Sequence, residues 1–161
     1  MTFWKLLRRK LRSLRRLSVL DLALIFYAAL CVPAVSIALK VFGFRRCAGR
    51  VNRRYCSSKE SASVSDDWGR AARVARLVEI AARNSIWKRN CLRTSLLLAY
   101  FLRKKGIPAG LQIGVRPPGK GDLIAHAWVE WDGHVLNDVP HVAEIYTPFS
   151  NLNDAVSPPR C

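Results

Sequence analysis

The stretch WKRNCLRTSLLLAYFLRKKGIP, residues 87–108, predicts the helix around which the rest of the chain folds. From about Asn90 to Lys105 it has few polar residues, which is typical of a helix that is buried on most sides. Its end carries the usual stop signals, with Gly106 at the cap and a proline just beyond. Its start places Cys91 beside a basic turn. We therefore expect a buried helix that presents a thiol at its first turn.

The position of Cys91 favours an ionised thiol. A thiol at the first turn of a helix faces unpaired backbone N–H groups and the positive end of the helix dipole, and both stabilise a thiolate. Arg89 and Arg93 add positive charge at the same place. The alternative is the usual fate of a free cysteine, which is to act as a small buried apolar residue. The choice depends on whether the chain supplies a base.

A base is available in the strand-like segment 123–131, where His126 interrupts an otherwise apolar run. It is a candidate general base, although a histidine that is hydrogen-bonded in the core would fit the same position. Asp138 ends the next strand-like segment, 134–139, where an acid is also an ordinary turn residue. Neither residue decides the matter alone.

The turn between these two strands determines whether His126 and Asp138 can meet. If Asp132 and Gly133 form a two-residue loop, the two side chains face opposite sides of the sheet. If the loop has three residues and ends in a left-handed Gly133, a bulge places His126 directly opposite Asp138. We predict the three-residue loop, because it brings the carboxylate to the imidazole.

The predicted register, in which Glu130 pairs with His134, gives each candidate a role. Asp138 would accept the Nδ1 proton of His126, and Nε2 would face the Cys91 sulfur as a general base. The helix that carries the thiol would then pack on the sheet face that bears the imidazole.

The N-terminal third is set apart by its charge. Residues 1–54 carry 13 Lys/Arg and a single acid, whereas the net charge of the whole 161-residue chain is +16. Residues 3–20 interleave large apolar and basic residues at helical spacing, which is typical of a basic amphipathic helix. Residues 22–39 carry no charge, and two interpretations stay open for them: a marginal membrane span, or a helix that packs on the core or on a partner. We expect a membrane surface as a further contact of residues 1–45.

The fold class predicted from these patterns is α+β. An amphipathic helix from about Asp67 to Ala82 precedes the helix that bears the thiol, and short strands follow at 111–115, 123–131 and 134–139. The predicted organisation is a basic and apolar helical extension, a serine-rich linker, a catalytic core and a loose tail, at 1–50, 51–66, 67–141 and 142–161.

The five cysteines are scattered and odd in number, which fits a reducing, cytoplasmic compartment better than a disulfide scaffold. No Cys/His spacing matches a metal motif, so we expect no metal and no cofactor. The basic third is too apolar for a nucleic-acid-binding segment and has no such motif, so we expect no nucleic-acid partner. A non-catalytic, membrane-associated binding module is the alternative to an enzyme.

Five motifs follow one another from Trp87 to Asp138: W-x-x-x-C-L-x-x-S-L-L-L, R-K-K-G-I-P-A, L-x-I-G-V, A-H-A-W-V-E-W-D-G and V-L-N-D. Together they resemble the lasso-peptide maturation proteases, and more narrowly the free-standing leader peptidases of split systems. The resemblance implies a transglutaminase-like (papain-like) fold, with a catalytic helix packed on a small antiparallel sheet. It also implies a triad of Cys91, His126 and Asp138.

The resemblance further implies a cysteine protease that removes the leader from a ribosomally made precursor peptide through a thioester acyl-enzyme. Residues 1–60 lack the strand pattern of the leader-binding module that fused relatives carry. A separate leader-binding protein is therefore implied, beside the precursor and an ATP-dependent lasso cyclase. A transglutaminase-like acyltransferase, in which an amine captures the thioester, is the alternative that the triad leaves open.

Overall fold

The computed structural model describes residues 18–53, 64–85, 90–116 and 124–148. Its helices are α1 (Val19–Arg53), α2 (Val64–Asn84), α3 (Cys91–Lys104) and α4 (Val142–Ile145), and its strands are β1 (Gly110–Arg116), β2 (Ile124–Trp131), β3 (His134–Val135) and β4 (Thr147–Pro148). The strands form one antiparallel sheet in the order β3-β2-β1-β4. The three long helices contact one another, and α3 also contacts the sheet. The predicted α+β class is confirmed. Most of the amphipathic helix predicted over 3–20 lies outside the described residues.

The central helix, α3, begins and ends almost where the sequence predicts. Asn90 precedes it with extended backbone, and its side chain accepts a hydrogen bond from the Arg93 N–H at 3.3 Å. Residues 94–99 are all buried. The helix ends at Lys104, and Gly106 just beyond it has a φ of 81°, a left-handed conformation that glycine adopts easily. The two caps therefore fix the helix that carries the thiol.

One face of the sheet meets α3. Ala127, Val129 and Trp131 on β2 are buried in the same apolar cluster as the leucines of α3. The alternate residues, His126 and Trp128, point to the opposite face, because side chains alternate along a strand. The expectation that the helix bearing the thiol packs on the His126 face is therefore wrong.

Helix α1 packs along the core through one of its faces. Asp21 is buried, and Arg73 of α2 donates to both of its carboxylate oxygens, at 2.9 and 2.7 Å. Further along α1, Ser36 Oγ accepts a hydrogen bond from Arg93 Nη1 of α3 at 2.9 Å. The helix breaks at Gly43, where φ is 73° and ψ is 166°. The predicted helical extension is thus attached to α2 and α3 by packing and by polar contacts.

Two segments that the sequence predicts to be irregular contain regular structure. Helix α1 continues to Arg53 and α2 begins at Val64, so both ends of the predicted linker, 51–66, are helical. Helix α4 and strand β4 lie in the predicted tail, 142–161, and β4 pairs with β1. The prediction of a loose tail is wrong for 142–148, because elements this short leave no periodic pattern.

Candidate active site

Cys91 is the first residue of α3 and is partly buried. The Asn90 side chain takes the N–H of Arg93, so the N–H groups of Cys91 and Leu92 point out of the start of the helix. These groups carry the partial positive charge of the helix N-terminus, which stabilises a nearby anion. The structure therefore places the predicted thiol at the start of a helix, as the sequence predicts.

His126 and Asp138 are in direct contact. Nε2 of the imidazole lies 2.5 Å from Oδ2 of the carboxylate, and the two side chains are 22% and 25% exposed. The other oxygen, Oδ1, accepts a hydrogen bond from the N–H of Val139 at 2.8 Å. The contact uses Nε2, so the predicted contact through Nδ1 is wrong. Nδ1 is consequently the ring nitrogen that the carboxylate does not contact.

The turn between β2 and β3 is not the predicted one. Asp132 and Gly133 have φ values of 50° and 75°, and positive values at both positions are typical of a two-residue type I′ turn. Trp131 therefore pairs with His134, and the predicted pairing of Glu130 with His134 is wrong by one residue. Aspartate tolerates the left-handed region better than most residues, which permits this turn.

Asp138 reaches the imidazole because the strand ends early. Strand β3 stops at Val135, and the N–H of Val129 is bonded by the side-chain oxygen of Asn137 at 2.8 Å instead of by a strand carbonyl. The chain bends after β3, and the carboxylate of Asp138 meets His126 despite the two-residue turn. The predicted bulge was expected to bring Asp138 to His126. The contact is instead made where the Asn137 side chain replaces a strand carbonyl.

A buried serine ties α3 to the same part of the sheet. Ser95 Oγ donates to the carbonyl of Ala127 at 2.8 Å and accepts from Asn137 Nδ2 at 2.9 Å. Ser95 lies one turn after Cys91 on the same face of α3. These bonds bring the start of α3 to the region of β2 that carries His126. Between these described residues, the Cys91 sulfur and the imidazole form no hydrogen bond.

The positioning roles of Ser95 and Asn137 were missed in the sequence, although both lie in quoted motifs. A serine among the leucines of a buried helix is a polar group that needs a partner, and this was the available signal for Ser95. Asparagine side chains often replace backbone partners near turns, which was the signal for Asn137. Neither signal identifies the partner, because that depends on how α3 docks on the sheet.

An aromatic residue from the predicted tail packs on the imidazole. Tyr146 stacks on His126 with ring centroids 4.8 Å apart and planes 28° apart. Trp128 lies on the same sheet face, 6.3 Å from the imidazole. Gly114 of β1 makes room for both, because a Cβ there would lie 2.9 Å from the Trp128 ring and 3.0 Å from Tyr146 Cβ. The sequence held no signal for Tyr146, which lies beyond the last recognisable strand.

A cleft of about 480 Å³ opens beside Asp138, between α2 and residues 135–139. Arg76, Glu79 and Arg83 of α2 line this cleft. Trp68, near the start of the same helix, also lines it. Across the described ranges, no three His, Cys, Asp or Glu side chains lie together as metal ligands would. Asp138 lines this cleft, whereas His126 and Cys91 do not.

The fold and the site define a class of protein. An antiparallel sheet that carries a His–Asp pair and packs on a helix beginning with a thiol is the arrangement expected of transglutaminase-like proteins. The family model of the Transglutaminase-like superfamily matches residues 31–151. This chain belongs to that superfamily, and the matched range includes Cys91, His126 and Asp138.

The chain is also similar to the Microcin J25-processing protein McjB of Escherichia coli. The two are 38% identical over 60 residues, a stretch that covers 37% of this chain and 27% of the relative. The matched region is thus a minor part of the length of the relative. No solved structure matches the chain.

Proposed function

We propose that this protein is a cysteine peptidase that removes the leader from a lasso-peptide precursor, with Cys91, His126 and Asp138 as its triad. The observation that carries the proposal is the contact of His126 Nε2 with Asp138 Oδ2, next to Ala127, whose carbonyl accepts the hydrogen bond from Ser95 one turn after Cys91. Similarity to a microcin-processing protein supports the substrate class. Membership of the transglutaminase-like superfamily supports thiol chemistry.

In the proposed reaction, Nδ1 of His126 takes the proton of the Cys91 thiol, and the sulfur attacks the carbonyl carbon at the leader junction. The N–H of Cys91 stabilises the oxyanion. His126 then gives the proton to the leaving amine, which is the new N-terminus of the core peptide. The leader remains bound to sulfur as a thioester until water, deprotonated by Nδ1, releases it as a carboxylate.

Asp138 has an orienting role in this proposal. Its carboxylate holds the proton on Nε2, which leaves Nδ1 free to act as the base and stabilises the imidazolium that forms. Cys91 and His126 are not yet hydrogen-bonded, and we expect that bond to form when substrate binds, since catalytic hydrogen bonds are often long in the free enzyme. Asn137 and Ser95 hold the two elements in place meanwhile.

The proposed partners are the precursor peptide, a separate leader-binding protein and an ATP-dependent lasso cyclase that uses the freed amine. The proposed compartment is the cytoplasm, with association to its membrane through the N-terminal helices. Three cysteines in the described part of the chain, Cys31, Cys47 and Cys91, are free thiols, which fits a reducing compartment.

The decisive experiment mixes the protein with a precursor peptide and the leader-binding protein, and follows leader release by mass spectrometry. Cys91→Ala should lower the rate at least about a thousandfold, as expected for loss of a nucleophile. Cys47→Ala is the matched control, because Cys47 lines a separate cavity of about 290 Å³ between α1 and α3. Unchanged release by Cys91→Ala would end the proposal.

Product masses distinguish the alternatives. Hydrolysis adds one water across the two products, whereas capture of the thioester by an added amine gives a leader that carries that amine. Tight precursor binding without any cleavage by the wild-type protein would instead favour a binding module.

A further inference from the structure

The outward face of α1 is an exposed apolar surface. It consists of Leu22, Phe26, Leu30, Ile37 and Val41, which recur at helical spacing along one side of the helix. Each of these side chains belongs to a residue that is between 46% and 67% exposed. Of the twelve exposed large hydrophobic residues in the described part of the chain, nine lie on α1. An apolar surface of this extent marks an interaction site.

The opposite face of α1 is occupied. Ala28, Val32 and Ser36 are buried there, and Ser36 accepts a hydrogen bond from Arg93 of α3. The segment Val19–Gly49 is long and apolar enough to cross a membrane by length and composition. A spanning α1 would nevertheless carry Arg93, which meets the middle of the helix, into the hydrocarbon at a high cost in free energy. The packing therefore favours a helix that lies in the plane of a membrane.

The charge around α1 indicates which surface it meets. Asp21 is the one acid among residues 1–54, and it is buried and paired with Arg73. Residues 1–17, which precede α1, contain seven Lys/Arg and no acid. At the C-terminal end of the apolar stripe, Lys40, Arg45 and Arg46 are exposed. Among the described residues, basic groups therefore border the apolar stripe near Val41, which complements acyl chains bordered by anionic headgroups.

We propose that α1 docks lengthwise on an anionic lipid surface, with its outward face among the acyl chains and with Lys40, Arg45 and Arg46 among the phosphates. The helix does not cross the bilayer, and α2, α3 and the sheet remain in the aqueous phase. The proposal does not rest on peptidase activity, because it concerns binding in the absence of any substrate.

The experiment is flotation of the full chain with vesicles of phosphatidylcholine alone or mixed with phosphatidylglycerol. We expect the protein to float with the mixed vesicles, to bind pure phosphatidylcholine at least about tenfold less tightly, and to lose binding as salt screens the headgroups. Equal binding to both compositions, or binding to neither, would overturn the proposal.

Variants locate the contact. Phe26→Ser combined with Leu30→Ser should weaken binding to mixed vesicles at least about tenfold, because two apolar side chains no longer enter the bilayer. Ile124→Ser combined with Val139→Ser is the matched control, since both residues are 43% exposed and lie away from α1. Circular dichroism should show folded protein in both cases. Equal loss of binding in the two double variants would contradict the assignment to α1.

Two further readouts test the geometry. An alkaline carbonate wash should release the protein from the vesicles, because a helix that lies in the interface is not anchored across it; retention would show a span. Analytical ultracentrifugation without lipid should show a monomer, whereas a dimer broken by Phe26→Ser and Leu30→Ser would assign the outward face to a second copy of the chain.

Discussion

Helices α1 and α3 are both rich in apolar residues, yet the protein uses them in opposite ways. In α3, residues 94–99 are all buried, so the helix is covered on every side. In α1, Ala28 and Val32 are buried, whereas Phe26 and Ile37 remain more than half exposed. An apolar composition indicates that a helix is stabilised by burial of its side chains. Whether residues of the same chain bury them depends on which elements pack around the helix.

The largest difference between the two helices should appear in stability. Leu98 on α3 is fully buried, so Leu98→Ala should lower the free energy of unfolding by about 2–5 kcal/mol. Leu30 on α1 is 57% exposed, so Leu30→Ala should change it by no more than about 0.5 kcal/mol. Urea denaturation in lipid-free buffer measures both. Losses of similar size would mean that the outward face is covered in solution.

A pair of buried serines sharpens the comparison. Ser95→Ala should cost about 1–3 kcal/mol, because the Ala127 carbonyl and the Asn137 amide each lose a buried partner. It should also lower kcat for leader release with little change in KM, since it disturbs the support of the His–Asp pair. Ser36→Ala removes a contact between α1 and Arg93 and should leave kcat near the wild-type value. Steady-state kinetics of leader release measures kcat for both variants. Equal kcat values would show that Ser95 has no positioning role.

The smallest expected effect concerns pH. The hydrogen bond from Arg73 is the main cause that lowers the pKa of Asp21 below its ordinary value. The pair therefore stabilises the protein above about pH 4, and this contribution is lost as the pH falls through the lowered value. Asp21→Asn should flatten the acid limb of the stability curve, measured by urea denaturation at successive pH values. An unchanged acid limb would show that the link between α1 and α2 does not depend on this carboxylate.

Much of the candidate site was predictable because the sequence patterns that indicate it lie within a few residues of one another. The caps of α3 lie within a few residues of the helix ends, and the apolar strand around His126 stands out from its neighbours. The pairing of His126 with Asp138 was also expected, but through the wrong turn and the wrong ring nitrogen. The error arose because only backbone register was considered as a means of bringing the two residues together.

The rest depended on tertiary contacts that no local pattern contains. Asn137 ends β3 by bonding to Val129, and its other contact, Ser95, lies on a different element. Tyr146 follows a four-residue helix, and the pairing of β4 with β1 places it against His126. The two faces of α1 are likewise distinguished by α2 and α3, which follow it in the chain.

Gly114 has no side chain, yet the space that it leaves open is part of the candidate site. It carries no chemical group, yet a methyl group there would press against Trp128 and against Tyr146, which covers the imidazole of His126. A screen of all substitutions would therefore register position 114 as intolerant, as it would a member of the proposed triad. Mutational sensitivity in this protein should map the space around the imidazole as well as the groups that react.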